Sequence, residues 1–171
     1  NGFGNAIQVQ IPSVKNPIPL FIVFRALGVI SDKNICNIVL LDNYSKPDTP
    51  NNIILNLLKA SLVDSCDIQT KEKAFDYIRE NVMYTPMNMD KETGDKKKSE
   101  FASDVLNNDL FPHCHNSTQK IYFLGYMAKK LLMADAGFNP PDDRDSYLNK
   151  RIDLTGKLLN NLFRNYFNKL V

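Results

Sequence analysis

The sequence predicts an α+β domain that is predominantly helical, with about seven helices and a small β element near the N-terminus. Apolar residues recur at steps of three and four along most of the chain, which is typical of amphipathic helices. Only one stretch alternates: Ile7, Val9 and Ile11 are separated by glutamines and form a short strand. No internal repeat or shift in composition marks a boundary, so we expect a single domain over residues 1–171.

Proline, glycine and capping residues set the expected helix limits. Pro19 and Gly28 enclose a buried helix, PLFIVFRALG, in which Arg25 is expected at the helix edge, paired or reaching solvent. Thr49 and Thr70 are expected to begin two later helices. The remaining helices are expected from Ser31 or Asp32 to about Leu41, and at Ser99–Leu110, Thr118–Ala136 and Leu148–Leu170.

Core faces follow from the same spacing. Ile53, Leu57, Leu58 and Leu62 form the expected buried stripe of the helix after Thr49. The Thr118 helix is expected to bury one face and to use its aromatic residues for packing rather than for base stacking. That face and those aromatic residues are Ile121, Leu124, Ala128, Leu131 and Leu132, and Tyr122, Phe123 and Tyr126.

Residues 85–98, TPMNMDKETGDKKK, are polar and show no periodicity, so they are expected to form a mobile loop. The stretch ends in Lys96, Lys97 and Lys98, which could contact phosphate groups. A solvated loop leading into a helix is the alternative interpretation of the three lysines.

Composition excludes several classes of protein. The formal net charge of +2 argues against a dedicated high-affinity nucleic-acid binder. Cys36, Cys66 and Cys114 are scattered and lack CxxC spacing, which indicates free thiols in a reducing, intracellular compartment. The longest apolar run, residues 20–24, is far shorter than the roughly 20 residues that span a bilayer, so no membrane partner is expected.

Two clusters could suggest a metal site. His113, Cys114 and His115 are consecutive, whereas zinc ligands come from spaced positions, so zinc is not expected. Clustered carboxylates bind Mg²⁺, and a metal-dependent nuclease or phosphotransferase would use the DDRD stretch (residues 142–145). We favour a charged helix start in which these carboxylates pair with neighbouring basic residues. Gly156 then lies inside the final helix and should mark close backbone packing or a break.

Three motifs carry a resemblance to a known family. Residues 142–159, DDRDSYLNKRIDLTGKLL, resemble the signature of the lobe domain in the second-largest subunit of eukaryotic and archaeal multisubunit RNA polymerases. IPLFIVFRALGVISD and KIYFLGYMAKKLLMADAG resemble two further segments of that family, in the family's order. The family has His, Gly and Ala where Ser146, Leu148 and Thr155 stand, so this is a divergent member and no imidazole function transfers to residue 146. The matching signature residues are Asp142, Asp143, Arg144, Asp145, Asn149, Lys150, Arg151, Asp153 and Gly156.

The resemblance implies a role within a DNA-directed RNA polymerase, a nucleotidyltransferase that requires Mg²⁺. In that family the largest subunit mainly holds the metal, so this domain is expected to contain no cofactor, metal ligand or catalytic residue. The lobe forms a wall of the cleft beside downstream DNA. It also provides a docking face for a small zinc-ribbon subunit and for initiation factors, and it is inserted in the protrusion domain of a longer chain.

Weak contacts with duplex DNA are expected through phosphate attraction, with Lys96, Lys97, Lys98, Lys150 and Arg151 as candidates. Lys150 and Arg151 could instead pair with the aspartates. The missing initial Met and the amphipathic pattern at the end suggest a fragment, and the asparagine-rich sequence suits a large DNA virus or an AT-rich protist. The expected location is a nucleus or a cytoplasmic viral factory. The alternative is a free-standing helical protein-interaction module.

Overall fold

The computed structural model describes residue 2 and residues 4–41, 49–85 and 90–170. These residues contain seven α-helices and one two-stranded antiparallel sheet near the N-terminus, which confirms the predicted fold class. The chain divides into two compact units, residues 1–139 and residues 140–171. A compact unit need not be an independent domain, so the single domain over residues 1–171 stays a prediction.

The elements follow one another with short connections. The two strands are β1 (Gln8–Val9) and β2 (Ile18–Pro19). The seven helices are α1 (Leu20–Leu27), α2 (Asp32–Leu40), α3 (Thr49–Val63), α4 (Lys71–Asn81), α5 (Lys91–Asp104), α6 (Ser117–Asp135) and α7 (Thr155–Leu170).

Helix α1 is the centre of the first unit. Gln8 lies opposite Pro19 and Val9 opposite Ile18 in the strand pair, and α1 begins directly after β2. Every residue of α1 from 20 to 26 is buried, and α2, α3, α4 and α6 all pack against it. Gly28 ends the helix at a φ of 112°, a left-handed conformation that favours glycine. The predicted central helix and both of its limits are confirmed.

Helix α4 begins where the sequence predicted. The Thr70 hydroxyl accepts a hydrogen bond from the Lys73 N–H at 3.3 Å, which satisfies one of the amides that a helix start leaves unpaired.

We expect Thr70→Ala to lower the free energy of unfolding by about 1 kcal/mol, because the amide of Lys73 loses this acceptor. Urea denaturation measures the change. Thr70→Ser keeps a hydroxyl and is the control; an equal loss in both variants would show that the cap contributes nothing.

The prediction of a mobile loop over residues 85–98 is wrong for residues 91–98, because these belong to α5, which begins at Lys91. Residues 86–89 lie outside the described residues. Asp90 precedes the helix, Glu92 lies in its first turn, and the Lys96 ammonium pairs with the Glu92 carboxylate at 3.2 Å. These local charge effects favour a helix without any apolar stripe, so a periodicity argument could not detect it.

The predicted core faces of α3 and α6 need correction. In α3 the buried stripe contains Ile54 and Leu58, whereas Ile53 is exposed, so the stripe is rotated by one residue at its start. In α6 the predicted inward residue Leu131 is 55% exposed, while Lys120 is almost completely buried. The helix limits themselves, Ser117 to Asp135, agree with the prediction.

The last helix starts later than predicted. Residues 142–154 are not α-helical: they contain a turn and a 3₁₀ segment at Tyr147–Asn149, and α7 begins only at Thr155. The Ser146 hydroxyl accepts from the Leu148 N–H at 3.4 Å, and side-chain bonds of this kind compete with helix formation. Gly156 therefore lies at a helix start with no atom within 4 Å of an added Cβ, and it marks neither close packing nor a break.

Candidate interfaces of the two units

The three lysines of α5 lie on a helix whose charges balance. Lys96 and Lys97 are exposed and Lys98 is half-buried. The helix sequence, KETGDKKKSEFASD, contains four lysines and four carboxylates, so α5 has no net charge. Its surface can attract phosphate only locally, where Lys97 and Lys98 lie apart from the Lys96–Glu92 pair.

The DDRD stretch folds into a polar turn in the second unit. The Asp143 carboxylate accepts from the Asp145 N–H at 2.9 Å, and the Asn149 side-chain amide donates to the Asp143 carbonyl at 2.6 Å. The Lys150 ammonium lies 3.2 Å from the Asp145 carboxylate. The structure thus brings together four residues of the signature. Lys150 is engaged with an aspartate, as the alternative interpretation allowed.

The other members of the signature are spread along the turn and the start of α7. Asp153, just before α7, pairs with Lys157 in the first turn of that helix at 2.5 Å. Arg151 is exposed and makes no ion pair with the residues that the structure describes. Of the two candidate phosphate contacts in this unit, Arg151 is therefore the more available for a phosphate.

The residues present do not fit a metal ion. Within residues 4–41, 49–85 and 90–170, no three His, Cys, Asp or Glu side chains are placed to bind one. The carboxylates of Asp143 and Asp145 are used in the hydrogen bond and ion pair of the turn. His113 packs its ring edge-on against Phe123, with the centroids 4.6 Å apart, and so has a packing role. Burial, and secondarily Asp32, raises the pKa of the Cys36 thiol, which keeps it protonated and a poor nucleophile.

The aromatic residues of α6 are not all core residues, contrary to the prediction. Tyr122 and Tyr126 are about half exposed, with 48% and 50% of their surface accessible, and lie one turn apart on the outer side of the helix. Phe123 alone packs inward, against Phe111 at a centroid distance of 5.0 Å. The two tyrosines give α6 an amphipathic outer surface of the kind found at protein interfaces.

An apolar groove, which the sequence did not predict, lies between β1 and α6. Its volume is about 590 Å³. Val9 from the strand side and Met127 and Leu131 from α6 line it, together with Phe111 and His113 from the segment before α6. Met127 and Leu131 are both about half exposed. One signal in the sequence could have indicated this groove: the apolar surface of α6 is too wide for a single buried stripe. Helical periodicity alone assigns all of that surface to the core.

Arg25 was expected at the helix edge, either paired or reaching solvent. It is paired, but it does not reach solvent, because its side chain is 1% exposed. The guanidinium donates to the Ser65 carbonyl at 2.7 Å, to the Ile68 carbonyl, and to the Asp32 carboxylate at 2.5 Å. It thereby joins α1 to the start of α2 and to the connection between α3 and α4.

Comparison with known proteins shows which family this sequence is similar to. The family model described as RNA polymerase Rpb2, domain 2, matches residues 1–153. DNA-directed RNA polymerase II subunit 2 of Arabidopsis thaliana is 38% identical over 171 residues, covering 98% of this chain and 13% of the relative. DNA-directed RNA polymerase II subunit RPB2 of Encephalitozoon cuniculi is 37% identical over 170 residues, covering 96% and 14%. The archaeal subunit Rpo2 of Saccharolobus solfataricus is 32% identical over 170 residues, covering 96% and 14%.

By sequence, the chain is thus a domain of the DNA-directed RNA polymerase family. More specifically, the chain belongs to the family of the second-largest subunit, and it corresponds to the lobe domain of that subunit. The chain spans 13–14% of the length of these three relatives. The resemblance inferred from the three sequence motifs is confirmed.

Proposed function

We propose that this chain is a non-catalytic lobe domain that forms part of the DNA cleft wall in a DNA-directed RNA polymerase. The observation that carries the proposal is the family match over residues 1–153, together with identities of 32–38% to second-largest subunits of eukaryotes and archaea. We assign residues 1–171 to one domain of a longer subunit. The parent enzyme's Mg²⁺ is bound elsewhere, which agrees with the engaged carboxylates of the DDRD turn.

The proposed partners are other polymerase subunits, the adjoining protrusion domain and an initiation factor. Exposed Tyr122 and Tyr126, and the groove beside Met127 and Leu131, support a docking role because they present apolar and aromatic surface to solvent. No helix among the described residues is long and apolar enough to cross a membrane. We place the parent polymerase in a nucleus or in the cytoplasmic factory of a large DNA virus.

The proposed contact with downstream duplex DNA is weak and electrostatic. Lys96, Lys97, Lys98, Lys150 and Arg151 remain the proposed phosphate contacts, although Lys96 and Lys150 already pair with carboxylates. Because α5 carries no net charge, we expect the binding to be weak. Because all five candidate contacts are with phosphate groups, we expect binding to fall steeply as salt screens them.

Fluorescence anisotropy of a labelled duplex, titrated with the chain at several salt concentrations, tests this contact. We expect weak, sequence-independent binding that falls steeply with salt. Replacing Lys96, Lys97 and Lys98 together with alanine should make the plot of the log association constant against log salt less steep. The slope should shrink in magnitude by about one for each of these lysines that binds a phosphate.

The matched control replaces Lys59, Lys71 and Lys73, which carry the same total charge, are exposed, and lie on α3 and α4. Equal slopes for the two triple variants would show that the lysines of α5 do not contact DNA. Sub-micromolar binding by the unaltered chain at physiological salt would contradict the proposed weak role in the cleft wall.

A further inference from the structure

The end of α5 departs from regular helix geometry. After Asp104 the chain forms a π-turn over Val105–Asp109, in which the Leu110 N–H donates to the Val105 carbonyl at 2.9 Å, five residues back. In the same pattern the carbonyl of Asn107 would need an N–H from residue 112. That residue is a proline and has none, so the Asn107 carbonyl requires a donor from another part of the chain.

Lys120 of α6 supplies that donor. Its ammonium donates to the Leu106 carbonyl at 2.9 Å and to the Asn107 carbonyl at 2.6 Å, and the residue is 3% exposed. It makes no ion pair with a carboxylate of the described residues, so the carbonyls at the helix end are its main electrostatic partners. Burial lowers the pKa of the Lys120 ammonium, and the neighbouring Cys114 opposes that shift. A buried cation of this kind strongly favours an arrangement that keeps both carbonyls within reach.

Residues 109–113, at and after the end of the π-turn, line the groove, and one of them, Phe111, has a strained backbone. Phe111 has a φ of 53°, a left-handed conformation that costs a bulky side chain about 1–2 kcal/mol. Its ring and that of His113 pack against Phe123, and both residues line the groove between β1 and α6. The π-turn, the strained residue and the groove wall are therefore consecutive in the chain.

We propose that residues 105–113 are an element with two registers, and that Lys120 holds the π register and so fixes the wall of the groove. In the second register the Leu110 N–H donates to Leu106 and the Phe111 N–H to Asn107, as in an α-helix. Both carbonyls are then satisfied without Lys120, Phe111 leaves its left-handed conformation, and the following residues turn by about 100° around the helix axis. This inference concerns the fold and does not depend on the proposed role in a polymerase.

Scalar couplings across hydrogen bonds, measured by NMR on the 171-residue chain, identify which carbonyl accepts from Leu110. We expect the unaltered chain to show coupling to Val105. In Lys120→Met the coupling should shift by one residue, to Leu106, because methionine cannot donate. Lys120→Arg keeps two donors and should retain coupling to Val105. Lys129→Met is the matched control on the same helix, since Lys129 donates to the Leu40 carbonyl instead.

A folded Lys120→Met variant that keeps its coupling to Val105 would overturn the proposal. If this variant unfolds, no second register is available to satisfy the carbonyls, which also counts against it. Relaxation dispersion on the unaltered chain is then decisive: the amides of residues 105–113 should exchange together with a minor state, and a flat profile across them would refute the two-register element.

Discussion

Replacing Arg25 with methionine is expected to lower the free energy of unfolding by about 3–5 kcal/mol, a large effect for a single substitution. Methionine fills the space of the aliphatic stem but donates no hydrogen bond. The carbonyls of Ser65 and Ile68 would lose their donor in a part of the molecule where water cannot replace it. Urea denaturation followed by circular dichroism measures the loss.

Asp32→Asn is the control for Arg25→Met, because Asp32 accepts from the same guanidinium but its side chain is 46% exposed. Water can solvate the site, so we expect this change to cost less than about 1 kcal/mol. Arg25→Lys should resemble Arg25→Met, since one ammonium cannot reach three separated acceptors. A loss below about 1 kcal/mol in Arg25→Met would contradict the bridging role of this side chain.

Gly125→Ala is expected to cost about 1–3 kcal/mol, although alanine favours a helix over glycine by nearly 1 kcal/mol. An added Cβ would lie 2.8 Å from the Ile38 Cγ2 atom and 3.0 Å from the Ile38 carbonyl oxygen. The second contact is with the backbone of α2, so the clash can be relieved only by moving the two helices apart. Thermal and urea unfolding both report this loss.

Gly156→Ala provides the matched control, because nothing lies within 4 Å of an added Cβ at that position of α7. We expect it to be neutral or stabilising by up to about 1 kcal/mol. If Gly125→Ala were equally harmless, the close approach of α6 to α2 would not be required for stability.

The elements that could be predicted from the sequence are those whose limits are set by interactions between neighbouring residues. Pro19 and Gly28 fix α1 because one sets a helix-compatible φ and the other accepts a left-handed φ. Thr70 fixes α4 through a hydrogen bond to an amide three residues away. Both signals act within a few residues, so they can be recognised in the sequence without any knowledge of the tertiary contacts.

Periodicity failed where long-range contacts or local charges decide the outcome. Lys120 looks like a surface lysine in the sequence, but in the structure it is buried and donates to carbonyls of the π-turn that follows α5. Helix α5 has no apolar stripe to detect, and the DDRD turn replaces a helix start with side-chain hydrogen bonds. Family motifs located the DDRD turn and the YFLGYM segment, but they did not show that Tyr122 and Tyr126 would be exposed.

We propose that this chain works as a domain of a multisubunit RNA polymerase. Purification of the tagged protein from its source, with mass spectrometry of stoichiometric partners and an assay of DNA-templated RNA synthesis, shows whether it does. We expect it to purify within a subunit several times its length, together with a largest subunit and with RNA-synthesising activity. Recovery as a free 171-residue chain without polymerase subunits would contradict the claim and favour the free-standing interaction module.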